Sequence, residues 1–290
     1  MKLLFQIIIF FLIIPLKASP LVSAAWLSQN LCKENIKLII LAGGKGTRLS
    51  EETHFIPKPM VKIGPYPIIW HIMKSFSFFG VNEFITALGY KSDVIKNYFL
   101  NYRRSSGDVT IDLKTGKTTK HNDITENWKI HFLETGKDTE TGGRIKQAIH
   151  FSGGKRIMAT YGDALSDVNI PELLDYHESH GKLATLTAVR PPSRFGEVNI
   201  SDGIVHDFKE KNQTGQGWIN GGYFVLQPEV IDYIPSNETS FERFSLDKLA
   251  KEGQLMAYEH RGFWQPMDVI REKKMLENLW NSDSPPWKLW

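Results

Sequence analysis

The sequence predicts a doubly wound α/β fold, a mostly parallel, Rossmann-like sheet followed by a mixed β and helical C-terminal part. Three observations predict it. Short, continuously apolar runs end at glycines, as in Lys37-Leu38-Ile39-Ile40-Leu41-Ala42 before Gly43-Gly44 and Arg156-Ile157-Met158-Ala159-Thr160-Tyr161 before Gly162-Asp163. Such runs suit strands buried on both faces of a parallel sheet. Segments of helical period alternate with them, which calls for right-handed crossovers. From Phe195 onward the texture changes to short strands and turns, and two helical segments close the chain.

The elements follow in order. Residues 37–42 form the first strand. Residues 67–79 place Ile68, Ile69, Ile72, Met73, Phe76 and Phe79 at helical spacing, with Gly80 as the stop. Residues 83–88 form the second strand, residues 92–100 a helix opened by a Ser92 cap, and residues 130–133 a third strand. The polar stretch 101–127 reads as an inserted loop or hairpin, with one alternating run at 109–113. Strands follow at 156–161 and 184–189, then at 198–200, 203–208 and 218–226, before helices near 244–251 and 269–280.

With 290 residues, 41% of them apolar, the chain can bury a substantial core. A formal net charge of +3 is small for this length and argues against a nucleic-acid partner. The single cysteine, Cys32, excludes an intrachain disulfide and a multi-cysteine metal cluster, so a divalent ion would need carboxylates or histidines. At the N-terminus, Met1-Lys2 precedes an apolar run from Leu3 to Leu16, then Lys17 and the small-residue stretch Val22-Ser23-Ala24-Ala25. That is the pattern of a secretory signal peptide. It is short for a span, which needs roughly 20 residues. The expected division is therefore a hydrophobic extension at 1–35, signal-like or a start placed too early, and one functional domain at 36–290.

The sharpest local signal is Leu41-Ala42-Gly43-Gly44-Lys45-Gly46-Thr47-Arg48-Leu49, where a buried strand ends. Glycines there let main-chain N–H groups approach an anion, and Arg48 adds a planar charge suited to phosphate oxygens. The segment fits neither the Walker pattern nor the dinucleotide pattern, because no third glycine follows Thr47-Arg48-Leu49. Further on, Pro57-Lys58-Pro59-Met60 holds one lysine between two stiffening prolines. Each segment alone also has an ordinary reading, a glycine turn and a solvated lysine.

Together they resemble the signature of the sugar-nucleotide pyrophosphorylases, the sugar nucleotidyltransferase family. The resemblance runs on through Trp70-His71-Ile72-Met73, Gly89-Tyr90-Lys91, Thr141-Gly142-Gly143-Arg144, Tyr161-Gly162-Asp163, Arg194-Phe195-Gly196, Ile219-Asn220-Gly221-Gly222 and Phe263-Trp264-Gln265-Pro266-Met267-Asp268, to the tail Pro285-Pro286-Trp287-Lys288-Leu289-Trp290. It is most similar to the glucose-1-phosphate cytidylyltransferase branch and covers residues 36–290. The resemblance implies an enzyme that moves a cytidylyl group from CTP to α-D-glucose 1-phosphate, giving CDP-glucose and pyrophosphate by Mg²⁺-assisted in-line displacement. This is nucleotide-sugar biosynthesis of the kind that supplies deoxysugars for O-antigen lipopolysaccharide.

By the same resemblance, Lys58 and Arg48 are catalytic, neutralising the reacting and departing phosphates. Leu41, Ala42, Gly43, Gly44, Gly46, Thr47, Thr141, Gly142 and Gly162 bind the nucleotide, and Glu210, Lys211, Asn220 and Gly221 bind the sugar phosphate. Asp163 and Asp268 hold Mg²⁺, against an ordinary reading as turn or cap residues. Two positions depart from the pattern: Asn212 stands where a proline often follows, and Glu140 where an apolar residue is common. His71 and the tryptophans are assigned to core packing. The alternatives are the same reaction with dTTP or UTP, or a nucleotide-sugar-binding regulator without turnover. The substrate is found in the cytoplasm, so a cytoplasmic enzyme, expected as a homo-oligomer, conflicts with a cleaved signal; membrane contact would require that residues 1–35 remain attached.

Overall fold

Strand β1 (Lys37–Ala42) lies in the middle of a seven-stranded sheet, and its alternate residues feed two separate cores. Leu38, Ile40 and Ala42 enter one, Ile39 and Leu41 the other. The computed structural model describes residues 36–122, 124–191, 197–201, 204–209, 217–282 and 284–290. The N-terminal extension, Arg194-Phe195-Gly196, Glu210 and Lys211 lie outside the described residues.

On one side of β1 stand β2 (Glu83–Leu88) and then β3 (Lys129–Glu134), both parallel to it. On the other side β4 (Ile157–Tyr161) is also parallel, and beyond it the spatial order continues with β6 (Ile219–Leu226), β5 (Ala184–Val189) and β7 (Leu255–His260). β6 runs antiparallel to both β4 and β5, and β7 is parallel to β5. The sheet is thus mostly parallel, with β6 reversed, in agreement with the predicted class. The chain moves outward from β1 through β2 to β3 and then crosses to β4. That change of direction opens a crevice beyond the carboxyl ends of β1 and β4, where open α/β sheets bind ligands.

Helices α1 (Ile68–Phe78), α2 (Ser92–Ser105), α4 (Ile170–His180) and α6 (Ile270–Trp280) cover one face, contributing Ile72, Phe76, Ile95, Leu173 and Leu276 to its core. α3 (Thr141–Ser152) and α5 (Leu246–Lys251) cover the other through Ile145, Ile149 and Leu249. α2 runs past residue 100 because Tyr102 anchors an extra turn, accepting the Trp70 indole N–H at 2.9 Å and donating to Glu126 at 2.7 Å. Its N-cap is Lys91, in the left-handed region at φ 50°, and not Ser92, which is already helical. The inserted segment forms a hairpin of Val109–Asp112 with Lys117–Lys120. A second hairpin pairs Glu197–Ser201 with Ile204–Lys209.

The closing residues fold back under α1. Trp287 is fully buried, stacks on Phe263, and directs its indole N–H at Nδ1 of His71, 3.4 Å away. His71 Nε2 sits 2.9 Å from the Ile63 carbonyl and therefore carries the ring proton, leaving Nδ1 as an acceptor. Burial pushes the His71 pKa down to about 4, against the opposing effect of the neighbouring carbonyls. The neutral ring stabilises the fold above the ordinary histidine pKa, and that contribution is lost as pH falls from about 6.5 through about 4. Urea unfolding should show about 2 kcal/mol less stability at pH 5 than at pH 7 from this group. The His71→Gln variant, less stable at pH 7, is expected to lack that increment of pH dependence; an unchanged pH dependence would remove His71 as its source.

Candidate active site

Three distant segments of chain meet at one ammonium group. Pro57 and Pro59 fix the short turn Lys58–Met60, which turns Lys58 inward until only 7% of it is exposed. β4 ends at Tyr161, and Gly162-Asp163 follows. The strand Trp264–Pro266 then pairs antiparallel with Ala164–Ser166, and Met267 N–H donates to the Asp163 carbonyl at 2.9 Å, which draws Asp268 alongside. Lys58 Nζ lies 2.6 Å from Asp163 Oδ2 and 2.6 Å from Asp268 Oδ1. Arg48, largely exposed, reaches the second oxygen of Asp268 at 2.7 Å. Burial would lower the Lys58 pKa, but the charge of Asp163, the hydrogen bonds that Lys58 donates to both carboxylates and the charge of Asp268 outweigh it, and the pKa lies above its ordinary value.

This cluster borders a cavity of about 700 Å³ lined by Leu41, Ala42, Gly43, Gly44, Gly46, Thr47, Arg48, Lys58, Gly162 and Asp163, with Thr141 across from them. Of the residues expected at the nucleotide, Gly142 alone is absent from that lining: its N–H donates to the Thr239 carbonyl at 3.0 Å, and a Cβ would stand 2.6 Å from the same oxygen. Thr141 opens α3, but its hydroxyl is engaged, donating to Glu242 Oε2 at 2.6 Å and accepting the Phe241 N–H at 2.9 Å.

The loop glycines have different physical reasons. Gly44 meets nothing within 4 Å of an added Cβ, so its main chain is open to a ligand. Gly46 turns the chain at φ 62°. At Gly43 an added Cβ would stand 2.2 Å from Arg144 Nη1. The buried Arg144 guanidinium donates to the Leu88 carbonyl at 2.8 Å, to the Thr135 hydroxyl, to the Gly43 carbonyl at 3.4 Å and to the Lys137 carbonyl at 3.5 Å. It ties together the carboxyl ends of β1 and β2 and the loop that leads to α3.

Arg144 and Tyr161 also line the cavity, although neither is among the residues expected to bind substrate. Both belong to motifs of the resemblance, Thr141-Gly142-Gly143-Arg144 and Tyr161-Gly162-Asp163, and that adjacency is their signal in the sequence. Lys137, Asp138 and Thr139 line it too, from a polar loop that carries no signal at all.

At the start of β6, Asn220 Nδ2 donates to the Tyr161 hydroxyl at 3.2 Å and Asn220 Oδ1 accepts the Gly222 N–H at 2.8 Å. Gly221 is close-packed: its carbonyl accepts the Trp264 indole N–H at 2.8 Å, and a Cβ would lie 2.6 Å from Val189. Glu210 and Lys211 lie outside the described residues.

The donor set suits Mg²⁺. Among the described residues no three His, Cys, Asp or Glu side chains converge as a cage, but Asp163 and Asp268 close on one cationic position that the Lys58 ammonium takes. An ion that binds one or two carboxylates and draws its other ligands from phosphate and water fits that arrangement. A contrast of two glycines tests the loop. Gly43→Ala is expected to lose about 2 kcal/mol in urea unfolding by displacing Arg144, and Gly44→Ala to stay within about 0.5 kcal/mol of wild type; equal losses would contradict the assignment.

Comparison with known proteins gives a consistent picture. Residues 37–269 match the family described as nucleotidyl transferase. The chain is 48% identical to glucose-1-phosphate cytidylyltransferase of Salmonella typhi over 256 residues, which are 88% of this chain and the whole of that protein. It is 46% identical, with the same coverage, to the probable glucose-1-phosphate cytidylyltransferase of Bacillus subtilis. Among solved structures, HddC from Yersinia pseudotuberculosis complexed with GMP-PN superposes with a TM-score of 0.62 at 25% identity, over 85% of this chain and all of that one. The chain therefore belongs to the nucleotidyl transferase family, in its glucose-1-phosphate cytidylyltransferase branch, and is an enzyme of that class.

Proposed function

We propose that the enzyme joins CTP to α-D-glucose 1-phosphate, releasing pyrophosphate and CDP-glucose. The observation that carries the reading is the meeting of Lys58, Asp163, Asp268 and Arg48 at the mouth of the glycine loop. The 48% identity with the Salmonella typhi enzyme, over the whole of that protein and 88% of this chain, supports the choice of substrates.

In the displacement, an oxygen of the sugar phosphate forms a bond to the α-phosphorus as the bond from that phosphorus to the bridging oxygen breaks, and the electron pair leaves with pyrophosphate. Catalysis of such a step is mostly alignment and charge neutralisation. The open main chain at Gly44 and the turn through Gly46 and Thr47 receive phosphate oxygens. Lys58, held by the two prolines, balances charge at the reacting phosphorus. Arg48, exposed at the cavity edge, draws the departing pyrophosphate. Asp163 and Asp268 would hold Mg²⁺, which when bound supplies positive charge to the phosphate oxygens. With those carboxylates engaged there, the Lys58 ammonium would be left to face the substrate phosphate. Glu210, Lys211 and Asn220 complete the sugar-phosphate side by the family resemblance. A nucleoside triphosphate substrate favours work in the cytoplasm, and none of the described helices is long and apolar enough to cross a membrane.

A panel of CTP, UTP, dTTP, ATP and GTP with glucose 1-phosphate and Mg²⁺, read by pyrophosphate release, tests the reading; CTP is expected to be turned over fastest. Lys58→Ala is expected to lower kcat by about 10²- to 10³-fold, and Asp163→Asn to raise the Mg²⁺ concentration needed for half-maximal rate by about tenfold. Turnover of no nucleotide by wild type that still binds one would make the protein a regulator.

A further inference from the structure

One carboxylate beside the cavity has no part in the proposed chemistry. Glu242 lies in the π-helical turn Phe241–Ser245 that leads into α5, far in sequence from every motif of the site. It is half-buried, and its oxygens are divided between two walls. Oε2 accepts the Thr141 hydroxyl at 2.6 Å and the Ser240 hydroxyl at 3.1 Å, and Oε1 accepts the Tyr161 hydroxyl at 2.6 Å. Thr141 and Tyr161 both line the cavity, and the Tyr161 oxygen accepts Asn220 Nδ2 at 3.2 Å.

The proton inventory of this chain has one solution. An ionised carboxylate only accepts, so Thr141 and Tyr161 must both donate to it. Burial, followed by the charge and hydrogen bond of Glu242, raises the Tyr161 pKa, so the phenol keeps the proton it donates. Its oxygen is then left purely an acceptor toward Asn220, which turns the amide N–H₂ of Asn220 to Tyr161 and its oxygen to the Gly222 N–H. Among the described residues, one amide hydrogen and one oxygen lone pair of Asn220 stay available, in a defined orientation.

We infer that Glu242 is a positioning residue, which sets the proton direction along Thr141, Tyr161 and Asn220 and so holds the nucleotide wall and the acceptor amide in one register. The inference rests on the functional reading above, in which Asn220 meets the sugar phosphate. Glu242→Gln removes the constraint, because the new amide N–H₂ donates to one of the two hydroxyls. At Tyr161 this would send the phenolic proton to Asn220, turn that amide, and break its bond with Gly222.

The test is a double-mutant cycle on the full chain with CTP, Mg²⁺ and glucose 1-phosphate, using wild type, Glu242→Gln, Tyr161→Phe and the double variant. Glu242→Gln is expected to raise KM for glucose 1-phosphate about tenfold while kcat changes less than about threefold. Tyr161→Phe should raise the same KM, and the double variant no further than the worse single one. A purely structural role would instead lower the thermal midpoint and kcat together without a selective KM effect. Rises that multiply in the double variant, or an unchanged KM in Glu242→Gln, would overturn the inference while an active wild type leaves the functional reading standing. Wild type inactive with every nucleotide removes both. If Glu242→Gln does not fold, Glu242→Asp, too short to bridge both hydroxyls, takes its place, with the same KM rise expected and an unchanged KM counting against the proposal.

Discussion

Burying a lysine beside two aspartates is tolerable only because each charge is the solvent of the others. A lone buried ammonium is penalised heavily, and so is a pair of neighbouring carboxylates without a cation. At Lys58 the two problems cancel, with Nζ 2.6 Å from each acid. The architecture around it serves this meeting: the prolines at 57 and 59 fix the turn, the end of β4 delivers Asp163, and the short antiparallel strand pair delivers Asp268. On the proposed reading, a divalent ion could take the place of the ammonium beside the two acids, and a phosphate the place of the acids beside the ammonium.

Arg144 solves a different problem with a different chemistry. Its guanidinium is buried among carbonyl oxygens and one hydroxyl, which use several of its donors, and burial lowers its pKa against the pull of Glu140. Three loops are thereby held as one rigid rim, and Gly43 is glycine because the guanidinium fills the space a side chain would need. A glycine loop beside a strand end is thus a composite: one glycine yields to a neighbouring cation, another lies open to ligand.

Much of the fold was legible because the strands are strongly apolar and end at glycines. β1, β2 and β5 occupy the residues expected, as their side chains are buried on both faces. α4 escaped prediction although Asn169 caps it, Pro171 stands in its first turn and Leu173 and Leu174 face the core, because its polar residues blur the period. β7 is an edge strand with half-exposed residues and leaves little trace. In the candidate site, the lysine, the two aspartates and Arg48 stand in motifs that mark them as candidates, and the structure brings the four together. Glu242 could not, since no local pattern distinguishes it from any other acidic residue in a helix; its role comes only from the oxygens that tertiary folding brings to it.

The reversal of β6 has a consequence for how such an enzyme can diversify. Because β6 runs against its neighbours, its first residues, Ile219 and Asn220, stand opposite the last residues of β5 and so at the rim where the other strands finish. On the proposed reading, one substrate would be met by strand exits and the other by a strand entrance, encoded in separate stretches of the gene. Mutation could then remodel the compartment for one substrate while the loop after β1 is inherited intact, so long as the bridge from Thr141 through Glu242 and Tyr161 to Asn220 is kept.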